Sequence, residues 1–153
     1  QPVDADLLPC LNTLAENLKL ACSMLTQHHI QPVFEMINST DMPRFLVQNI
    51  AQAQEMLEAV KHPALKMQYD CYHMAMMGED VLSALQENIQ DIGHIQFADN
   101  PGRHEPESGE LDYAAIFKWL KHSAYSGYIA AEYRPSLASH QSFAWKDKYF
   151  ASP

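Results

Sequence analysis

Three carboxylates and one carboxamide are the side chains in this sequence best placed to act together: Glu35, Asp70, Gln96 and Glu132. Each stands within or at the end of a different short apolar run, namely 31–37, 65–70, 92–97 and 128–133. Runs of this length, bounded by Gly, Pro, Asn and Asp, read as strands. A carboxylate inside an apolar run is costly to bury unless it is paired or coordinated. Taken singly, each is an ordinary polar residue at a strand end. Four of them on separate strands whose ends converge make a hard, oxygen-rich set suited to Mg²⁺ or Mn²⁺. Such an ion would also offset the desolvation of Glu35 and Glu132, both flanked by apolar residues.

The densest polar stretch runs from His94 to Glu110. The alternation of Ile92, His94, Ile95 and Phe97 predicts a strand. It leads into a loop holding Asp99, Asn100, Arg103, His104 and Glu105, punctuated by Pro101, Gly102, Pro106 and Gly109. A helical pattern follows from Asp112. A strand that delivers polar groups at its C-terminal end and then enters a helix is the working unit of α/β enzymes.

The remaining segments supply neighbours of this unit. Leu7, Leu11, Leu14, Leu18, Cys22 and Leu25 predict an amphipathic helix, capped by Asp4 or Asp6 and ending near His28 and His29. The strand 31–37 gives way to a loop at Asn38–Asp41. Helical spacing resumes with Leu46, Ile50, Ala53, Leu57 and Val60, with Asn49 as an internal cap. A strand from Leu65 ends at Asp70, directly before Cys71, Tyr72 and His73. Glu79 or Asp80 starts a helix carrying Val81, Leu82, Leu85 and Ile89, and Asp112 caps one carrying Ile116, Phe117 and Leu120. Gly127 turns the chain into a strand at 128–133, and a last helix is expected over 136–149 with Trp145 as its anchor. Alternation of this kind predicts an α/β fold with parallel strands and helical crossovers. Four strands are too few to close a barrel of eight units, so the sheet is open or is half of something larger.

The 153 residues fit one domain, and 47% hydrophobic residues allow a normal core. The net charge of -9 argues against nucleic acid or an anionic membrane surface as a partner. No apolar run is long enough to span a membrane. The N-terminal Gln-Pro-Val-Asp-Ala-Asp lacks the regions of a secretory leader. Cys10, Cys22 and Cys71 have no metal-site or disulfide spacing, which fits free thiols in a cytoplasmic protein.

Four segments carry a resemblance to a known family: Phe-Glu-Met-Ile-Asn at 34–38, Gln-Tyr-Asp-Cys-Tyr-His at 68–73, Gly-His-Ile-Gln-Phe-Ala-Asp-Asn-Pro-Gly-Arg-His-Glu-Pro at 93–106, and Ala-Glu-Tyr-Arg-Pro at 131–135. From about Leu14 to Trp145 the sequence resembles the hydroxypyruvate isomerases, which belong to the xylose isomerase-like TIM barrels. The resemblance implies metal ligands at Glu35, Asp70, Gln96 and Glu132, with Glu35 and Glu132 also the acid–base pair. It implies substrate contacts from His73 and, through a loop that differs, Arg103. The implied activity interconverts small hydroxy-oxo acids such as hydroxypyruvate and tartronate semialdehyde, or isomerises 2-oxo-tetronates. Shifting a carbonyl by one carbon requires a proton to leave one carbon and return to its neighbour. A metal-stabilised enediolate and two carboxylates on opposite faces suit that step. Arg103 would hold the substrate carboxylate by two points.

Two departures stand out. The resemblance begins at the helix that would follow the fourth strand of a full barrel, so roughly a hundred residues of typical barrel length are absent. A half barrel leaves two parallel edges and an apolar strand face open, and predicts pairing with a second copy or with a missing N-terminal half. The loop also has Glu107-Ser108-Gly109 where Gly-Thr-Gly is usual, which replaces a permissive glycine. A sugar epimerase of the same superfamily and a catalytically inactive half barrel are the competing readings. An endonuclease IV-like activity would need several histidine ligands and a basic face.

Overall fold

The computed structural model describes residues 7–151. Its centre is a parallel sheet of four strands, β1 (Val33–Glu35), β2 (Lys66–Asp70), β3 (Ile92–Phe97) and β4 (Tyr128–Ala131), side by side in chain order. Helices α1 (Leu7–Thr26), α2 (Ile50–Val60), α3 (Cys71–Met76), α4 (Val81–Asn88), α5 (Tyr113–His122), α6 (Ser139–Ser142) and α7 (Ala144–Phe150), with a short 3-10 helix at Ile89–Asp91, complete the described elements. The expected parallel order with helical crossovers is present. The register pairs Glu35 with Gln68, Asp70 with Gln96, and Gln96 with Ala130.

Period-two alternation gives the strands two different faces. Met67, Tyr69, Ile95 and Phe97 point toward the helices and are at most 2% exposed. Phe97 packs edge-on against Phe117 and Trp145, with ring centroids 5.2 and 5.1 Å apart. Trp145 therefore anchors the tail, as expected. A second cluster, Ala15, Cys22, Met56, Val60 and Leu65, fastens α1 to α2. The alternate positions Lys66, Gln68, His94 and Gln96 are half-buried. The strand face away from the helices is thus largely polar, which corrects the expectation of an open apolar face.

Several element boundaries differ from the sequence reading. β1 is confined to three residues because the Ile37 amide turns away to bond the Val47 carbonyl (3.1 Å). Asn49 is the N-cap of α2, its side chain accepting from the Gln52 amide at 2.9 Å, so Leu46 precedes the helix. The short helix α3 follows Asp70 without a loop, and the sequence reading missed it. The tail is two helices instead of one. The Tyr133 hydroxyl donates to the Ser142 carbonyl (2.9 Å), taking up a group that a continuous helix would use. β4 stops at Ala131, so Glu132 lies one residue past the strand, although its amide still reaches the Phe97 carbonyl at 3.0 Å. Asp80 and Asp112 cap α4 and α5 as read. The caps expected at Asp4 or Asp6 lie outside the described residues. Cys10, Cys22 and Cys71 are free. No helix among the described residues is long and apolar enough to cross a membrane.

Candidate active site

The C-terminal ends of β1, β2 and β4 and the loop after β3 surround a cleft of about 520 Å³. Glu35, Asp41, Tyr72, His73, Arg103 and Glu132 are among its lining residues. A second cavity of about 390 Å³ opens at the other end of the strands, around Lys66, Gly93 and Tyr128, and holds no carboxylate cluster.

Asp70 serves the fold and the cleft at once. Its Oδ1 caps α3 by accepting from the Tyr72 amide at 2.9 Å. Its Oδ2 lies 3.3 Å from Arg103 Nη2 and 3.7 Å from His73 Nε2, two residues that line the cleft. The side chain is fully buried, and burial pushes its pKa up to about 7, against the pull of the Tyr72 amide and Arg103. Glu35 lies at the end of β1, 4.0 Å from His73 Nε2. Burial raises its pKa, and the charge of Glu132 adds to the rise. Arg103 Nη2 donates to Glu132 Oε2 at 2.7 Å.

A carboxylate oxygen from each of Glu35 and Asp70 and a ring nitrogen of His73 all lie within 4.8 Å of one another, a group that could hold a metal ion. The hydrogen bonds around His73 refine its part. The side-chain Oδ1 of Asn38 accepts from the Thr40 and Asp41 amides at 3.0 and 2.8 Å. That fixes the amide orientation, so Asn38 Nδ2 points its hydrogen at His73 Nδ1, 2.6 Å away. Nδ1 is therefore the acceptor, and the ring proton sits on Nε2, aimed at the two carboxylates. Burial, aided by Arg103, lowers the His73 pKa to about 4 and keeps the ring neutral. This tautomer suits a donor to a substrate oxygen better than a metal ligand.

The residues brought together can be set beside those read from sequence. Glu35, Asp70 and His73 meet directly, and Glu132 joins them through Arg103. Gln96 pairs in register with Asp70, and its Oε1 accepts from Gln68 Nε2 at 2.6 Å. Arg103 is not free to grip a ligand by two points with Nη2, which Asp70 and Glu132 share. Its guanidinium also lies 4.9 Å above the Tyr72 ring. Crowded carboxylates, of which Asp70 is fully and Glu35 partly desolvated, with the Arg103 guanidinium among them, are a donor set that fits a hard divalent cation.

The sequence reading missed three supporting residues. Gln68 lies two positions before Asp70, and period two alone puts both on one strand face. Asn38 orients His73, and Tyr72 donates to Asp41 at 2.9 Å. Neither of those contacts leaves a local signal, because each partner comes from a different strand end.

The loop after β3 is held tightly. Asp99 is fully buried, and its Oδ1 accepts from the Asn100 and Leu111 amides at 2.9 and 3.1 Å. A Cβ at Gly109 would lie 2.5 Å from the Asn100 carbonyl, so the loop closes on itself only with glycine there. Arg103 and Glu107 adopt left-handed backbone, with φ of 57° and 76°. Glu107 is the position where a glycine is usual, and its carboxylate is tied to Lys148 and the Tyr149 hydroxyl of α7. Glu105 accepts from the Ser136 amide and hydroxyl at 2.9 and 2.6 Å.

The profile of the family described as xylose isomerase-like TIM barrel matches residues 1–149. Hydroxypyruvate isomerase of Escherichia coli (strain K12) is 38% identical over 137 residues, which are 90% of this chain and 53% of that protein. The 2-oxo-tetronate isomerase of Cupriavidus necator is 36% identical over 148 residues, 97% of this chain and 57% of that one. The crystal structure of an AP endonuclease, family 2, from Brucella melitensis superposes with a TM-score of 0.91 at 30% identity, covering 96% of this chain and 57% of that one. The 3-keto-D-glucoside 4-epimerase of E. coli gives a TM-score of 0.82 at 24% identity, a likeness of fold alone. The chain thus spans about half the length of the curated relatives it matches.

Proposed function

This chain belongs to the xylose isomerase-like TIM barrel family, and on that premise we propose that it carries the acid–base centre of a metal-dependent isomerase of small hydroxy-oxo acids. The substrates favoured are hydroxypyruvate with tartronate semialdehyde, or a related 2-oxo-tetronate. The carrying observation is one cleft lined by Glu35 and Glu132, with Asp70 buried behind Arg103 and beside a neutral histidine whose Nε2–H faces Glu35 and Asp70. The names of the two relatives support the reaction class.

Glu35, Asp70, Gln96 and Glu132 would hold the ion, Mg²⁺ or Mn²⁺. Bound there, it would polarise the substrate carbonyl and stabilise an enediolate. Glu35, at the end of β1, and Glu132, just past β4, come from the two outer strands and in this reading act as the base and acid that move the proton. The raised pKa of Glu35 suits a group that must both take up and release a proton. His73 donates from Nε2 to a substrate oxygen. Arg103 holds Glu132 in place and turns its remaining N–H groups to the substrate.

In this reading the chain provides the C-terminal four β/α units of a barrel. The outer edges of β1 and β4 are where a missing N-terminal half, or a second copy, would add strands. The net charge of -9 speaks against nucleic acid and anionic membrane surfaces, and the three free thiols suit the cytoplasm.

Proton exchange into hydroxypyruvate in deuterated buffer with Mg²⁺ or Mn²⁺ tests the proposal. Exchange is expected from the chain and is expected to fall at least 100-fold in Glu132→Gln, the usual scale for losing an acid–base group. No exchange from a folded, metal-loaded chain would leave the inactive half barrel as the reading.

A further inference from the structure

We propose that the guanidinium of Arg134 is the anchor for the substrate carboxylate, and so the group that selects an anionic oxo acid over a neutral sugar. The inference rests on the isomerase reading and adds to it a residue that determines substrate class.

Arg103 and Arg134 both line the cleft, but they differ in what they have left to offer. Arg103 shares Nη2 between Asp70 and Glu132 and covers the Tyr72 ring with its face. Arg134 makes no side-chain hydrogen bond or ion pair among the described residues, and its side chain is exposed at the cleft rim. Its backbone is fixed nonetheless. The amide of Arg134 donates to the Arg103 carbonyl at 2.8 Å, and His104 Nδ1 donates to the Arg134 carbonyl at 2.7 Å. A free guanidinium on a fixed backbone presents two parallel N–H groups, the geometry that matches a carboxylate.

Charge points the same way. Glu35, Asp41 and Glu132 line the cleft with Arg103 and Arg134, and Asp70 is buried behind Arg103. A carboxylate directed at the floor would meet Asp70 and Glu132. One directed at Arg134, two residues beyond Glu132 on the exit from β4, meets an uncompensated positive charge. The position also suits a short substrate, with the reacting carbons near Glu35 and Glu132 and the carboxylate at the rim. A neutral triose has no group that needs this cation.

The test compares hydroxypyruvate with dihydroxyacetone, which carries a hydroxymethyl group in place of the carboxylate. Dissociation constants are measured by calorimetry on the chain in saturating Mg²⁺, for the unaltered protein, Arg134→Gln, Arg134→Lys and Arg103→Gln. Arg134→Gln is expected to weaken hydroxypyruvate by about tenfold or more, as for a lost charge-assisted pair, with dihydroxyacetone changed less than about twofold. Arg134→Lys is expected to recover part of the loss. Equal weakening of both ligands, no weakening of either, or no initial preference for the acid would overturn the proposal. So would loss of the preference in Arg103→Gln alone. Proton exchange, followed in parallel, keeps the two readings apart. Selective loss in Arg134→Gln without exchange in any protein would retain the anchor and remove the isomerase. Exchange with selectivity untouched by Arg134 would do the reverse.

Discussion

The two faces of the same four strands are built by opposite rules. Toward the helices, Met67, Tyr69, Ile95 and Phe97 are nearly inaccessible to solvent and packed among aromatic rings. Toward the cleft, one residue further along each strand, stand Gln68, Asp70 and Gln96, with Glu35 and Glu132 at the strand ends. The first face stabilises the fold by burying apolar surface. The second holds charge out of water and costs stability, as the raised pKa values of Asp70 and Glu35 record. The helix-side face thus supports groups that are useful because they are poorly solvated.

The largest expected effect lies on the helix side. Phe97→Ala removes the ring that meets Tyr113, Phe117 and Trp145. We expect a loss of about 3–5 kcal/mol in chemical denaturation, the range for deleting a buried aromatic side chain. A loss below about 1 kcal/mol would mean that the two faces do not divide the work in this way.

The next effect is of opposite sign. Asp70 has its folded-state pKa raised from 3.8 to about 7, so its favourable contribution is fully present below about pH 4 and is lost as pH rises through 7. His73 has its pKa lowered from 6.5 to about 4, so its contribution is present above 6.5 and is lost as pH falls through 4. Between pH 4 and 6.5 the two oppose each other. In chelator, Asp70→Asn is therefore expected to be the more stable protein at pH 8, by on the order of 2–4 kcal/mol. Its advantage should shrink as pH is lowered toward 4. A variant less stable than the parent at pH 8 would show that the hydrogen bonds and ion pair of Asp70 outweigh the cost of burying its charge.

The smallest effect concerns the loop that carries Arg103. Glu107→Gly relieves a left-handed backbone, worth about 1 kcal/mol, and removes the ties to Lys148 and Tyr149. These changes oppose each other, and the melting temperature is expected to move by less than about 3 °C. Faster amide exchange across 99–110 should accompany it. A large drop in melting temperature would make the α7 tie a principal support of the site.

Most of the architecture was legible because apolar spacing and caps are local signals. β3, α5 and the Asp112 cap fall where the spacing puts them. The three-residue β1 was not legible, since its end is set by the Ile37 amide finding Val47. The break at Phe143 depends on the Tyr133 hydroxyl, again a partner from elsewhere in the chain. Within the site, Glu35, Asp70, Gln96 and Glu132 were conspicuous as polar residues in apolar runs. The His73 tautomer was hidden because it depends on Asn38, 35 residues away. The engagement of Arg103 with Asp70 and Glu132 was hidden for the same reason. Arg134 stands in the Ala-Glu-Tyr-Arg-Pro segment but was given no role there, because an exposed arginine has no local mark of function.

The central claim is that carboxylates from separate strand ends form one divalent-cation site, and Mn²⁺ binding tests it most directly. Titration followed by electron paramagnetic resonance is expected to give one bound ion per chain, lost in Asp70→Asn while the variant stays folded. No bound Mn²⁺, or binding that survives Asp70→Asn unchanged, would contradict it.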